Sequence, residues 1–213
     1  YREEGVSKTS RGEGLIMKTS VLALAIAILL AALDSPQAWS AADDWTGNLN
    51  FSVGGKVLDK GDWDPVDDQA ELGINVDFRS RSWPISIAVG LRASTDEEDD
   101  VVVQGVILDS EGTTKELRVG LSKTWEPTTS MRPFFGGGLA ALSAEIERSA
   151  LGLTERDHDA GVGLWLNGGI YWTFGADVNL GFEVGYSQAR ISLFGEKSDA
   201  GGSHAGLLMG FTW

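Results

Sequence analysis

The chain has 213 residues, with 17 basic against 31 acidic side chains (a formal charge of −14), 28 Gly, 8 Trp and no Cys. The missing Cys excludes a disulfide scaffold, a thiol nucleophile and a cysteine-ligated metal site. The acidic balance lacks the cationic footprint of a nucleic-acid binder, while a hydrophobic content of 42% suits a folded chain.

Residues 1–16 precede Met17 and read as an upstream extension or a misassigned start. Residues 17–42 read as a signal peptide. Met17-Lys18 gives a short positive start, Val21–Leu33 is an uncharged apolar run, and Ser40-Ala41-Ala42 offers a small–x–small cleavage pattern. The apolar run is too short for a spanning helix, which needs about 20 residues. The folded part is therefore expected to be 43–213. Removing four basic and four acidic residues with 1–42 leaves its charge at −14.

From Trp45 onward the chain alternates apolar and polar residues, the signature of strands with one apolar face. The first strand sets Trp45, Leu49, Phe51, Val53 and Val57 against Thr46, Asn48, Asn50, Ser52 and Lys56. The second sets Leu72, Ile74, Val76 and Phe78 against Glu71, Asn75, Asp77 and Arg79. The third sets Ile85, Ile87, Val89 and Leu91 against Ser86, Gly90, Arg92 and Ser94. The fourth sets Leu117, Val119, Leu121 and Trp125 against Glu116, Arg118, Ser122 and Thr124. Residues 132–146 alternate less cleanly; the expected register turns Phe134, Leu142 and Ile146 outward and Glu145 inward. The sixth strand sets Val162, Leu164, Leu166, Ile170 and Trp172 against Trp165, Asn167 and Tyr171. The seventh sets Val178, Leu180, Phe182, Val184 and Tyr186 against Asp177, Asn179, Glu183 and Ser187. The last sets Ala205, Leu207, Met209, Phe211 and Trp213 against Gly206, Gly210 and Thr212.

Eight strands of this length match tilted membrane crossings. Longer polar segments near 58–68, 95–113, 147–159 and 191–203 alternate with tight links at 80–84, 126–131 and 174–176. The fold class expected is all-β, an eight-stranded antiparallel up-and-down transmembrane β-barrel. Trp45, Phe78, Trp83, Trp125, Phe134, Trp172 and Trp213 gather at the short-turn end, as an aromatic girdle at a membrane boundary would. Gly54, Gly73, Gly90, Gly120, Gly163, Gly181 and Gly206 fall on the inward parity, where a narrow lumen leaves little room.

The signal segment, the eight alternating strands, the loop asymmetry and the final Phe211-Thr212-Trp213 together resemble small outer-membrane β-barrels of the OmpA/OmpX and OmpW/opacity type. The resemblance covers 43–213 and does not extend to a peptidoglycan-binding domain. It implies a bacterial outer-membrane location, contact with outer-membrane lipid and lipopolysaccharide, and an assembly signal at Phe211 and Trp213 read by the barrel assembly machinery. It also implies a monomer without a cofactor. Being architectural, it says little about function.

The inward positions hold Lys56, Arg92 and Arg118 with Glu71, Glu116 and Glu183, expected to pair into a lumen charge network. Such a network is either a static plug or a gate for a narrow small-solute conduit. Acidic residues crowd the long loops: Asp59, Asp62, Asp64, Asp67 and Asp68 in the first, and Asp96-Glu97-Glu98-Asp99-Asp100 in the second. They form a solvated surface that divalent cations could bridge to lipid head groups. The apolar run 101–108 is expected to extend the second long loop as a hairpin above the membrane. A lipid A-modifying enzyme is the weaker alternative. His158 and His204 read as surface residues, and Ser203 and His204, adjacent on a strand, point to opposite faces. No metal site or catalytic residue is expected, and the role expected is non-enzymatic, in membrane integrity or surface interaction through the acidic loops.

Overall fold

Strands that are apolar on one side only, with no covering helix to bury that side, satisfy their backbone groups in lipid by closing on themselves. The computed structural model describes residues 44–103, 106–126, 128, 130–150, 153–175 and 177–213. The expected signal peptide and upstream extension lie outside the described residues. Strands β1 (Trp45–Val57), β2 (Asp68–Ser80), β3 (Ser86–Val103), β4 (Val106–Thr124), β5 (Met131–Ala150), β6 (Leu153–Phe174), β7 (Val178–Gln188) and β10 (Gly202–Thr212) form a closed antiparallel barrel. Strands β8 (Arg190–Leu193) and β9 (Glu196–Asp199) form a separate hairpin in the last long connection, and the four-residue helix α1 (Lys60–Trp63) sits in the first.

The ring closes between β1 and β10, paired from Asn48↔Thr212 to Val57↔Ser203. At the short-turn end Gly47 and Trp213 exchange backbone hydrogen bonds of 3.1 and 3.0 Å. The Trp213 ring lies over Gly47, where a Cβ would come within 2.5 Å of it. Only glycine lets the terminal aromatic cover the seam this closely.

The polarity is inside-out relative to a soluble barrel. Leu91, Val119, Leu139 and Val162 are exposed outward, whereas Lys56 and Arg118 are each 1% exposed inside. The alternation read in seven of the eight strands assigns their faces as found.

The fifth strand differs. Phe135 and Leu139 face out, and Ala140, Leu142, Ala144 and Ile146 are buried inside, so Phe134, Leu142 and Ile146 take the face opposite to that expected. Glu145 likewise faces outward, 3.1 Å from Arg156. The cause lies in Gly136-Gly137-Gly138, which carries no side chains to mark parity. Register comes instead from the neighbours. Leu139 pairs with Val119 and Leu164, and cross-strand partners share a face. An Arg at Leu139, on the lipid face, should therefore cost about 2–4 kcal/mol in lipid unfolding equilibria. A cost near zero would restore the opposite register.

The second and third long connections also differ from loops. Pairing of β3 with β4 continues to Val103↔Val106 after a register shift between Glu98 and Val101, and β5 pairs with β6 to Ala150↔Leu153. The strand extension expected in this region is present, with 101–103 paired to 106–108. Pairing of β2 with β3 stops at Ala70↔Thr95, so β3, β4, β5 and β6 project beyond the barrel as a four-stranded sheet.

Candidate functional site

The lumen is filled by side chains that strand parity drives inward. Arg92 on β3 bridges two opposed strands: Nη1 donates to Glu71 on β2 and Nη2 to Glu183 on β7, both at 2.5 Å. Arg118 on β4 donates through Nε to Glu116 at 2.5 Å. Its guanidinium also lies 5.5 Å from the Trp165 ring, a cation–π contact. Glu116 takes a further hydrogen bond from Ser187, and Glu183 one from Asn167. All six residues of the expected network are buried.

Five of the six are linked through their charges, and Lys56 is not. Lys56 Nζ donates to Thr114 Oγ1 and to the Ala200 carbonyl, each at 2.9 Å, without a carboxylate partner.

His204 joins the network, contrary to its expected surface position. It is 5% exposed, with Nε2 2.7 Å from Arg118 Nη2 and Nδ1 3.1 Å from Glu71 Oε2. Arginine can only donate, so Nε2 accepts, and Nδ1 carries the proton to Glu71. The ring is then neutral and couples the two arginine clusters. Its position was readable from parity, because Gly206 and Gly210 on the same strand point inward. Its place just after the 191–203 loop hid the signal.

Below this network lies a polar floor. Asn179 donates to Asn48 and Thr212, Tyr171 donates to Asn48, and Asn48 donates to Asp77 at 3.0 Å. Between the layers is a cavity of about 40 Å³ lined by Asn75, Arg118, Ser122, Asn167 and Glu183, room for a few waters. Asn75 Nδ2, Arg118 Nη1 and Ser122 Oγ are buried without a protein hydrogen-bond partner. Solvation of these atoms matches the cavity's size better than an organic ligand does.

Above the network the mouth is covered by an apolar cap. Trp63 of α1, 1% exposed, packs with Leu58, Val66, Ile191, Leu193, Ala200, Leu142 and Ile146. The inward turn of Leu142 and Ile146 thus has a purpose, since they form the wall on which the first and last long connections rest. Trp63 Nε1 donates to the Asp199 carbonyl at 2.8 Å, and the Asp199 amide donates to Asp62 at 2.9 Å. The β8–β9 hairpin is tied to β6 by amide donation from Ser192 to Asp159 and from Phe194 to Asp157. The bonds from the Ser192 and Ala160 amides hold the Asp159 carboxyl below the usual range.

At the short-turn end Trp45 stacks with Trp83 and Phe78, at centroid distances of 5.7 and 6.0 Å. Trp45, Trp83 and Trp125 are exposed outward, and Trp172 and Trp213 are half-buried there. Phe134 does not stand with them. It is turned inward, 5.9 Å from Tyr171, and belongs to the floor. Phe211 lies on the outer face, paired with Leu49 and Val178.

Among the described residues no group of His, Asp and Glu is arranged to hold a metal ion. No family model and no curated protein sequence matches the chain. Among solved structures it is similar to Ail, the attachment invasion locus protein of Yersinia pestis, solved in complex with the heparin analogue sucrose octasulfate. The TM-score is 0.51 at 10% identity, over 80% of this chain and 98% of that one. OprG of Pseudomonas aeruginosa gives a TM-score of 0.47 at 12% identity, over 81% and 96%. Neisserial surface protein A gives 0.44 at 12%, over 79% and 94%. With the closed ring of eight strands, the likeness to Ail establishes the fold, that of the small eight-stranded outer-membrane β-barrels.

Proposed function

We propose that this chain is a non-enzymatic protein of a bacterial outer membrane that acts in membrane integrity or surface interaction through its acidic outer face. The signal-like segment 17–42 supports export, and the exposed apolar belt supports a lipid surround. On this reading the short turns face the periplasm, the long connections face outside, and lipopolysaccharide surrounds the projecting sheet. Phe211 and Trp213 are read by the barrel assembly machinery, and the protein works as a monomer.

One observation carries the reading. The lumen is blocked twice, by the cap and by the charge network, so the accessible chemistry lies on the projecting sheet. There a lateral row runs Glu97↔Glu111↔Glu147↔Arg156 across four paired strands. Arg156 pairs with Glu147 and Glu145 and leaves the row acidic. Burial and the facing Glu97 and Glu147 carboxylates hold the Glu111 carboxyl above its usual range. Like charges directly opposite one another destabilise a sheet, so the row fits a cationic partner or bridging divalent cations. It suits a sulfated ligand of the kind bound by Ail poorly.

Ser203 faces outward while His204 is buried with both ring nitrogens engaged, which supports the non-enzymatic reading. The purified protein should show a heat-modifiable gel shift and bind polylysine, but not heparin, in a salt-sensitive manner. The triple variant Glu97→Gln, Glu111→Gln, Glu147→Gln should lose several-fold in polylysine affinity. Full solubility without detergent would refute the membrane reading, and unchanged binding by the triple variant would refute the role of the row.

A narrow conduit is the second reading, favoured by the polar cavity between network and floor. It requires both blocks to open.

A further inference from the structure

The outward positions across the apolar band are uncharged on β1, β2, β3, β5, β6, β7 and β10. On β4 two positions break the pattern, Lys115 toward the long connections and Lys123 toward the short turns. Lys123 stands between the outward-facing Leu121 and Trp125, beside Phe135 on the adjoining strand. It is half-buried, and among the described residues no carboxylate lies within ion-pair distance of it. Its Nζ donates to the Pro84 carbonyl at 2.6 Å, while Arg79 donates to the neighbouring Trp83 carbonyl at 2.7 Å. The two cations clamp the backbone of the 80–84 turn, which carries the exposed Trp83, while the exposed Trp125 follows two residues after Lys123 on the same face.

A lysine on a lipid face carries its charge to the nearest head-group level. That level is marked here by the aromatic residues at the short-turn end. An ammonium has three donors, and the Pro84 carbonyl takes one of them. Among the described residues no protein carboxylate takes either of the other two in an ion pair, although the chain as a whole carries a charge of −14.

We propose that Lys123, flanked by Trp83 and Trp125, is a binding site for the phosphate of an anionic glycerophospholipid in the leaflet at the short-turn end. The inference rests on the membrane reading above. The ammonium supplies the counter-charge and the indoles pack against the glycerol and upper acyl chain. The charge selects an anionic lipid over a zwitterionic one, whose own ammonium competes for the phosphate.

Tryptophan fluorescence can read this site directly. Trp45, Trp83, Trp125, Trp172 and Trp213 stand at the short-turn end, while Trp63 and Trp165 are buried under the cap and in the lumen. In vesicles doped with brominated phosphatidylglycerol or brominated phosphatidylcholine, the native chain should bind the anionic lipid with about five-fold preference, the effect of one charge near a membrane surface. Lys123→Gln should abolish the preference, Lys123→Arg should retain it, and Lys115→Gln, at the other end of the same strand, should leave it unchanged. Equal quenching of the native chain by both lipids would overturn the proposal. So would a preference that survives Lys123→Gln or falls equally with Lys115→Gln. The heat-modifiable gel shift in the same vesicles separates this outcome from failure of the membrane reading, which would show as no insertion at all.

Discussion

Arg92→Met should lower the stability of the barrel by about 3–5 kcal/mol, the usual cost of removing one partner from a buried ion pair. The guanidinium reaches Glu71 on β2 and Glu183 on β7 at once, and its two carboxylates are 5% and 3% exposed. Methionine fills much of the same volume and packs without strain. The loss therefore comes from two negative charges left facing each other without a cation. His204 and Asn167 still donate to them, but a neutral donor does not replace the charge. Urea-driven unfolding in lipid vesicles, read by the gel shift and by tryptophan emission, gives the number. The triple variant Arg92→Met, Glu71→Gln, Glu183→Gln should regain most of the loss, because replacing a whole buried ionic group is often close to neutral. A single variant within 1 kcal/mol of the native chain would mean that the lumen is wet enough to screen these charges.

Much of the barrel was legible because lipid imposes a strict rule. Within the membrane every second residue must be apolar, so Leu117, Val119 and Leu121, or Leu180, Phe182 and Val184, declare both strand and face. Above the membrane the rule lapses. The outward face of the projecting sheet meets water, and residues 95–100 and 153–159 read as polar loop although β3 stays paired with β4, and β5 with β6, beyond the barrel. The Gly136-Gly137-Gly138 run is the opposite case. It lies inside the membrane and bears no side chain to mark either face, so the register of β5 was set by Val119 and Leu164 on its neighbours.

The charge network was legible in its members and not in its wiring. Parity placed Lys56, Glu71, Arg92, Glu116, Arg118 and Glu183 inside, but which acid meets which base depends on ring closure. Arg92 and Glu183 are separated by 91 positions in sequence and meet only across the closed lumen. Lys56 was expected to pair with a carboxylate and instead supports the Ala200 carbonyl of the last long connection. That connection is polar in sequence, and nothing local shows that it folds inward. The cap was invisible for the same reason. Its members come from Leu58, Trp63 and Val66 in one connection, Ile191 and Leu193 in another, and the inward face of β5. Only the assembled barrel brings these isolated apolar residues into one cluster.

Trp63→Ala should loosen the cap without disturbing the ring. The indole is buried among Leu58, Val66, Ile191 and Leu193, and its Nε1 holds the Asp199 carbonyl. Truncating a buried Trp typically costs about 3–5 kcal/mol. Here the loss falls on the two outer connections, because the barrel's own pairing from Asn48↔Thr212 to Val57↔Ser203 does not involve the indole. Protease cleavage within 58–67 and 189–201 should rise steeply, while the gel shift of the ring is retained. In planar bilayers Trp63→Ala alone should stay silent, since Arg92, Glu71, Glu183, Arg118 and Glu116 still fill the lumen beneath. Combined with Arg92→Met it should give small conductance steps. Conductance from Trp63→Ala alone would make the cap the only seal and favour the conduit reading. Silence of the double variant would leave the polar floor as a third barrier and count against any conduit through this barrel.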